Sequence, residues 1–316
     1  MTPRETTTDS YKSGPRQPVS VDHSYVYTMM AVAALCGAMV SFQVGAAIAK
    51  LLFPLVGAQG ATALRQVIGA PILIIALRPW RRIPTRASII PLLCYGIALG
   101  FMSLLFYLSL RTIPLGIAVA LYFGGPLGIS IASLRKPVDF IWVALAILGL
   151  LMLLPLRTSA YSIDPAGALL AAGAGACWAV YILAAKRLGK ELGSSAAAYG
   201  AVIAMFIALP IGLAHSGMAL LAPKVLSLGL ALAFFSSALP GALEMFALTR
   251  MPPRAYGTLV SADPAIAALM GMALLGETLT FSQWGGIIAI ASASVGTTLS
   301  LRPKAQLKPA EIGPPT

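Results

Sequence analysis

The sequence predicts an all-α integral membrane protein of about ten transmembrane helices, built as two inverted five-helix repeats. Three observations predict it. Apolar segments, each long enough to cross a bilayer, fill nearly the whole chain from Tyr25 to Leu301. Basic residues alternate between the two ends of these segments. A short polar pattern recurs after about 140 residues. Composition agrees, with 58% hydrophobic residues, 10% charged residues and a mean hydropathy of +0.86. A water-soluble core cannot hide that much apolar surface, so the solvent is lipid.

A span needs roughly 20 mostly apolar residues. By that measure the first five spans are 26–49, 59–78, 88–110, 114–134 and 138–156. The other five are 164–186, 194–213, 225–248, 255–275 and 281–300. Span 1 follows a Thr-, Ser- and Pro-rich tail and ends at Lys50; the cluster Arg78, Arg81, Arg82 and Arg86 separates spans 2 and 3. Arg111 closes span 3, Arg135 and Lys136 follow span 4, and Arg157 follows span 5. Lys186, Arg187 and Lys190 end span 6, Lys224 precedes span 8, and Arg250 and Arg254 separate spans 8 and 9. The turn Gly276-Glu277-Thr278 precedes span 10. The expected organisation is a disordered cytoplasmic tail 1–24, repeats 25–157 and 158–301, and a cytoplasmic tail 302–316.

With the N terminus inside, 17 of the 22 lysines and arginines fall in cytoplasmic segments and 4 on the opposite side; Arg65 is the remaining one. That asymmetry sets the orientation and puts both termini in the cytoplasm. It also accounts for the net charge of +12 without nucleic acid. Cys36, Cys94 and Cys177 lie inside apolar runs without CxxC spacing, as small buried hydrophobes do. The N-terminal tail lacks the pattern of a cleaved signal peptide.

The recurring pattern runs Tyr107-Leu-Ser-Leu-Arg111, Pro114, Gly116, Gly125-Pro126 in the first half. In the second half it runs Phe246-Ala-Leu-Thr-Arg250, Pro252-Pro253, Gly257, Asp263-Pro264. Ala176-Cys177-Trp178-Ala179 echoes Leu35-Cys36-Gly37-Ala38 at a similar offset. A unit of five spans is odd, so the second unit enters the membrane upside down. Inverted repeats of this kind mark secondary transporters, whose sites lie at mid-membrane where helices are interrupted. The expected breaks are Gly124, Gly125 and Pro126 in span 4, and Pro264 in span 9. A proline has no N–H and frees a carbonyl about one turn earlier.

Charged residues inside a span are costly, at about 2.5–3.5 kcal/mol on the insertion scale. Asp263 is the deepest; it suits binding a substrate ammonium or taking up a proton, and the bland alternative is a packed ion pair. Arg65, about six residues into span 2, suits either snorkelling to the interface or clamping a carboxylate. Glu244 lies near the inner end of span 8 and suits proton relay or simple exposure to water. Gln43, Tyr107, Tyr122, Trp178 and Tyr181 are further candidates for lining a substrate path, with aromatic packing as the alternative for the rings. Gln66 is a weaker polar candidate, Glu277 is expected to be structural, and Lys50 to anchor at the interface. There is no HExxH, GxSxG, Walker or dinucleotide motif, so no enzyme, metal or cofactor is expected.

Several stretches carry a resemblance: Ala49-Lys50-Leu-Leu-Phe-Pro54-Leu-Val-Gly57-Ala58, Thr62-Ala-Leu-Arg65 and Pro114-Leu-Gly-Ile-Ala-Val-Ala-Leu121. Gly173-Ala-Gly-Ala-Cys-Trp178, Leu243-Glu244-Met245, Ala247-Leu-Thr-Arg250 and Leu275-Gly276-Glu277-Thr278-Leu279-Thr280 add to it. On these residues the chain, from about 30 to 300, resembles the drug/metabolite transporter superfamily of EamA type, in a subgroup that exports amino acids. The resemblance implies a secondary active exporter of threonine- or homoserine-like amino acids in a bacterial inner membrane, working by proton antiport and alternating access. It implies a path lined by spans 1–4 and 6–9, with spans 5 and 10 peripheral. The sequence departs from the subgroup, which tends to carry a glutamate where Tyr122 stands and another where Asp263 stands. The expected partners are a small-molecule substrate, protons and the lipid bilayer, with a homodimer allowed. The competing expectations are an exporter of another metabolite or toxic compound, and a passive channel. The single acid beside a matched pair of breaks argues against the channel, which usually presents rings of like groups.

Overall fold

The structure, a computed structural model, describes residues 21–132, 140–153, 164–189, 191–248, 250–251, 256 and 259–300. The polar tails, Arg135, Lys136, Arg157, Lys190, the boundary at 157/158, and Pro252, Pro253, Arg254 and Gly257 lie outside the described residues. The described secondary structure is helical. Five helical stretches among the described residues are long and apolar enough to cross a membrane, and shorter apolar helices pack beside them.

Helix α1 (Val21–Leu77) covers both of the first two predicted spans. It is two helices meeting at Gly57, where φ is 64° and ψ is 176°. An L side chain rarely adopts that φ, so the glycine makes the reversal without a loop. The first arm therefore runs on past Lys50, which the sequence placed at a helix end. The four orphan carbonyls of a helix end need partners; one here is the Val56 carbonyl, which accepts from the Ser216 hydroxyl at 2.6 Å.

Helix α2 (Arg86–Ser109) precedes two short helices, α3 (Leu115–Tyr122) and α4 (Gly124–Ala132), which share one predicted span. The interruption falls at Phe123, one residue before the predicted glycines. Gly124 has open space around it, whereas Gly125 packs its backbone on the Gly175 carbonyl of α6 (Pro165–Leu188). A Cβ at Gly125 would occupy the position of that oxygen, so its role is close approach between helices. Pro126 removes the N–H that would have served Tyr122.

Helix α5 (Phe140–Leu153) packs mainly on α11 (Phe281–Ser300), at the side of the bundle. Asp164 caps α6 by accepting from the amides of Ala166 and Gly167, both at 3.1 Å. Helix α7 (Ser195–Ser216) packs against α1 and α2. The predicted span 8 divides into α8 (Pro223–Ala233), one π turn at Phe234–Ala238, and α9 (Leu239–Leu248). Helix α10 (Asp263–Leu275) opens at the predicted Asp-Pro pair, so span 9 is interrupted just before Asp263.

The core gathers where α1, α2, α3 and α10 meet. Tyr107, Leu110, Ile113, Leu115 and Ile117 are almost wholly buried there. Beyond them, the Lys50 ammonium lies 2.6 Å from Glu277 Oε1, and Glu277 Oε2 accepts the Leu115 amide at 2.7 Å. Lys50 thus joins α1 to the turn before α11 and to the start of α3, in place of the predicted interfacial anchor. A carboxylate at a helix N-terminus meets the positive end of the dipole as well as the lysine.

A candidate functional site between the interrupted helices

A cavity of about 500 Å³ borders that core, sharing Met102, Phe106 and Tyr122 with it. Arg65, Glu244 and Asp263 all line it, from the second arm of α1, from α9 and from the start of α10. Of the predicted path residues, Tyr122, Trp178 and Tyr181 line it too, as does Pro126. None of α5, α7 and α11 contributes a lining side chain among the described residues. The predicted path includes span 7, so at α7 the cavity departs from it.

Each charged group is held by a distinct local device. Arg65 is only 8% exposed, so it does not snorkel. Its Nη2 donates to the Ser236 carbonyl at 3.4 Å, and its guanidinium lies 5.4 Å from the Phe42 ring centre and 5.7 Å from that of Tyr107. The Ser236 carbonyl is free because Pro240 stands four residues on and has no N–H. Within the π turn the Leu239 amide donates back to the Phe234 carbonyl, and the Phe235 carbonyl accepts from the Ser41 hydroxyl at 2.8 Å. The irregular turn in span 8 therefore presents two carbonyls sideways, and α1 answers both. Arg65 Nε has no hydrogen-bond partner and is buried. A buried, unanswered donor on a guanidinium is a place where an anionic oxygen is favoured.

Asp263 sits in the first turn of α10, where the helix dipole favours a carboxylate. Its Oδ1 accepts from Gln43 Nε2 at 3.0 Å. Gln43 is fully buried and does not line the cavity, so it stands behind Asp263. Glu244 is exposed at the cavity surface, one turn beyond Pro240.

The opposite wall is aromatic. Tyr122 and Trp178 stack with centroids 4.4 Å apart and 15° between planes. Phe106 tilts against Tyr122 at 5.1 Å and Phe123 meets Trp178 edge-on at 5.6 Å. Tyr181 stacks on Tyr95 at 4.4 Å, and the two hydroxyls are 2.9 Å apart. Tyr107 is 1% exposed and is not a lining group; it stands behind Arg65 and tilts against Phe106 at 6.0 Å, both of which line the cavity. Gln66 donates to the Ser103 hydroxyl at 3.4 Å and is not a lining residue. The sequence reading missed Phe42, Tyr95, Ser236 and Pro240. Pro240 was the available signal, since a proline inside an apolar run orphans the carbonyl of the residue four before it.

A bundle of apolar helices, broken around an internal cavity with both signs of charge, has the construction of a membrane transporter. Comparison with known proteins agrees: the profile of the EamA-like transporter family matches residues 165–299. The chain is 54% identical over 275 residues to the threonine/homoserine exporter RhtA of Salmonella typhimurium (strain SL1344), covering 87% of this chain and 93% of that one. It is 53% identical, over the same shares of each chain, to RhtA of Escherichia coli (strain K12). An uncharacterized transporter of Bacillus subtilis (strain 168), YwfM, is 33% identical over 158 residues, 48% of this chain and 52% of its own. The chain therefore belongs to the EamA-like transporter family. These relatives are transporters, which agrees with the expectation that the chain is not an enzyme.

Proposed function

We propose that this protein exports threonine, homoserine and similar small amino acids across a bacterial inner membrane by proton antiport. The observation that carries the reading is the convergence of Arg65, Glu244 and Asp263 on one cavity. An amino acid is a zwitterion and needs an opposite charge for each end. Arg65 offers paired donors to the carboxylate, and Asp263 offers an acceptor to the ammonium. A single carboxylate cannot hold a proton and an ammonium at once. Protonation of Asp263 therefore releases the substrate, and rebinding of substrate expels the proton. Glu244, exposed on the same wall, relays that proton. The names of the relatives at 53–54% identity support the substrate class.

The same reading includes ten spans in two inverted repeats, 25–157 and 158–301, with both termini in the cytoplasm. Alternating access then rocks one repeat against the other about the breaks at Phe123 and Asp263. A second reading, export of a bulkier metabolite, is favoured by one feature: Tyr122 stands where the subgroup tends to carry an acid, and it stacks on Trp178 as an aromatic wall.

The test is efflux of preloaded labelled threonine and homoserine from vesicles, with and without an imposed proton gradient. The reading expects saturable, gradient-dependent efflux that Asp263→Asn abolishes. Flux that does not saturate and ignores an uncoupler would indicate a channel. No efflux of either compound from properly inserted protein would move the substrate to the second reading.

A further inference from the structure

We propose that Gln43 is a positioning residue that serves Asp263 in both of its protonation states. The inference rests on the reading of Asp263 as the group that exchanges a proton for the substrate ammonium. Gln43 is wholly buried on the first arm of α1, and its Nε2 donates to Asp263 Oδ1 at 3.0 Å, across to α10. Its other end, Oε1, is buried and has no hydrogen-bond partner. A buried amide oxygen left unanswered is costly, and here it is the mark of a second arrangement. An amide offers two donors at one end and an acceptor at the other. With Asp263 ionised, the –NH₂ end faces it and donates. With Asp263 protonated, a half-turn of the amide brings Oε1 round to accept the carboxylic O–H. The orphaned oxygen of the first state is the acceptor of the second.

Gln43 does this from outside the cavity, so it does not compete with the substrate. The groups that face the cavity with Asp263 are Arg65 from the second arm of α1, Tyr122 from α3, Tyr181 from α6, Glu244 from α9, and Tyr256. Their charges and hydroxyls set the background against which Asp263 titrates. They stay in place when Gln43 is replaced.

The experiment is the pH profile of gradient-driven threonine efflux in vesicles, per amount of inserted protein, for wild type, Gln43→Met and Asp263→Asn. Methionine keeps the volume and has no amide. Methionine takes a charge-assisted bond from the ionised carboxylate and a weaker neutral bond from the protonated one, so the difference favours the protonated form and the midpoint in Gln43→Met moves upward by roughly 0.5–1 pH unit. The threonine KM at high pH, where Asp263 is ionised in both proteins, stays near wild type, which separates positioning from substrate contact. If Gln43→Met does not insert, Gln43→Leu takes its place with the same expectation. An unshifted profile in the inserted apolar variant, while Asp263→Asn has lost its gradient dependence, overturns the role of Gln43 alone. A full pH response in Asp263→Asn overturns the underlying reading and this inference with it.

Discussion

Two of the interruptions beside the cavity, the one between α3 and α4 and the one before α10, are finished in opposite ways. At the α3–α4 break the neighbouring side chain is Tyr122, stacked on Trp178 of α6, and Gly125 seats its backbone on Gly175. At the break before α10 the side chain is Asp263, hydrogen-bonded to Gln43 of α1. One break is sealed by ring stacking and tight backbone contact. The other keeps a charge at a helix N-terminus beside a cavity. The difference gives the cavity a polar wall and an apolar wall, and so a preferred orientation for an amphiphilic guest. On the proposed function it also divides the labour: the first break shapes the site and the second carries its charge chemistry.

That division can be broken by substitution, with the largest effect expected at the charged wall. Asp263→Asn should abolish gradient-driven efflux while leaving the protein inserted, as vesicle flux and quantitation of membrane protein would show. Arg65→Gln should raise the substrate KM roughly 10- to 100-fold, the weight of one or two charge-assisted contacts. Initial-rate kinetics over a range of substrate would measure it. At the aromatic wall, Trp178→Ala should raise KM about three- to tenfold through loss of the ring stack, and Tyr122→Phe should stay close to wild type, because the stack needs only the ring. If Tyr122→Phe proved as damaging as Arg65→Gln, the first break would carry polar chemistry too. Gly125→Val should act on folding, not on affinity, lowering thermal stability by roughly 1–3 kcal/mol because α4 can no longer meet α6.

The smallest effect is expected at Asp164, the N-cap that precedes the membrane-length stretch Pro165–Leu188. The Thr112 side chain, and then the Ala166 and Gly167 amides, hold its carboxyl below the usual carboxylate range. A group whose carboxyl ionises more readily when folded contributes stability at neutral pH and loses it as pH falls through the folded value. Asp164→Ala should therefore lower the melting temperature slightly at neutral pH, and the gap should close in acid.

Much of this was legible in the chain. Asp263 and Pro264 stood out because an acid is costly in an apolar run and a proline orphans a carbonyl, and the structure places both at the start of α10. Arg65 and Glu244 stood out for the same reason. What the sequence could not supply was facing. Gln43 was expected in the substrate path, yet it lies behind Asp263, because apolar helices with little amphipathicity do not disclose which side meets a neighbour. Lys50 was expected at a helix end, yet the helix continues to Gly57 and turns the ammonium towards Glu277, 227 residues away. The π turn in span 8 escaped notice because its consequence is tertiary. Pro240 frees the Ser236 carbonyl, but only the packing of α1 shows that Arg65 is the group that answers it.

The central claim is that the cavity between Arg65, Glu244 and Asp263 holds the substrate. Its most direct test is protection of a cysteine placed on the cavity wall at Ser237. Cys36, Cys94 and Cys177 would be replaced by serine and the rate of maleimide labelling followed. The account predicts that threonine or homoserine slows labelling of Ser237→Cys in a saturable way, and that Arg65→Gln removes the protection. Labelling unaffected by either amino acid, in protein that still exports them, would contradict it.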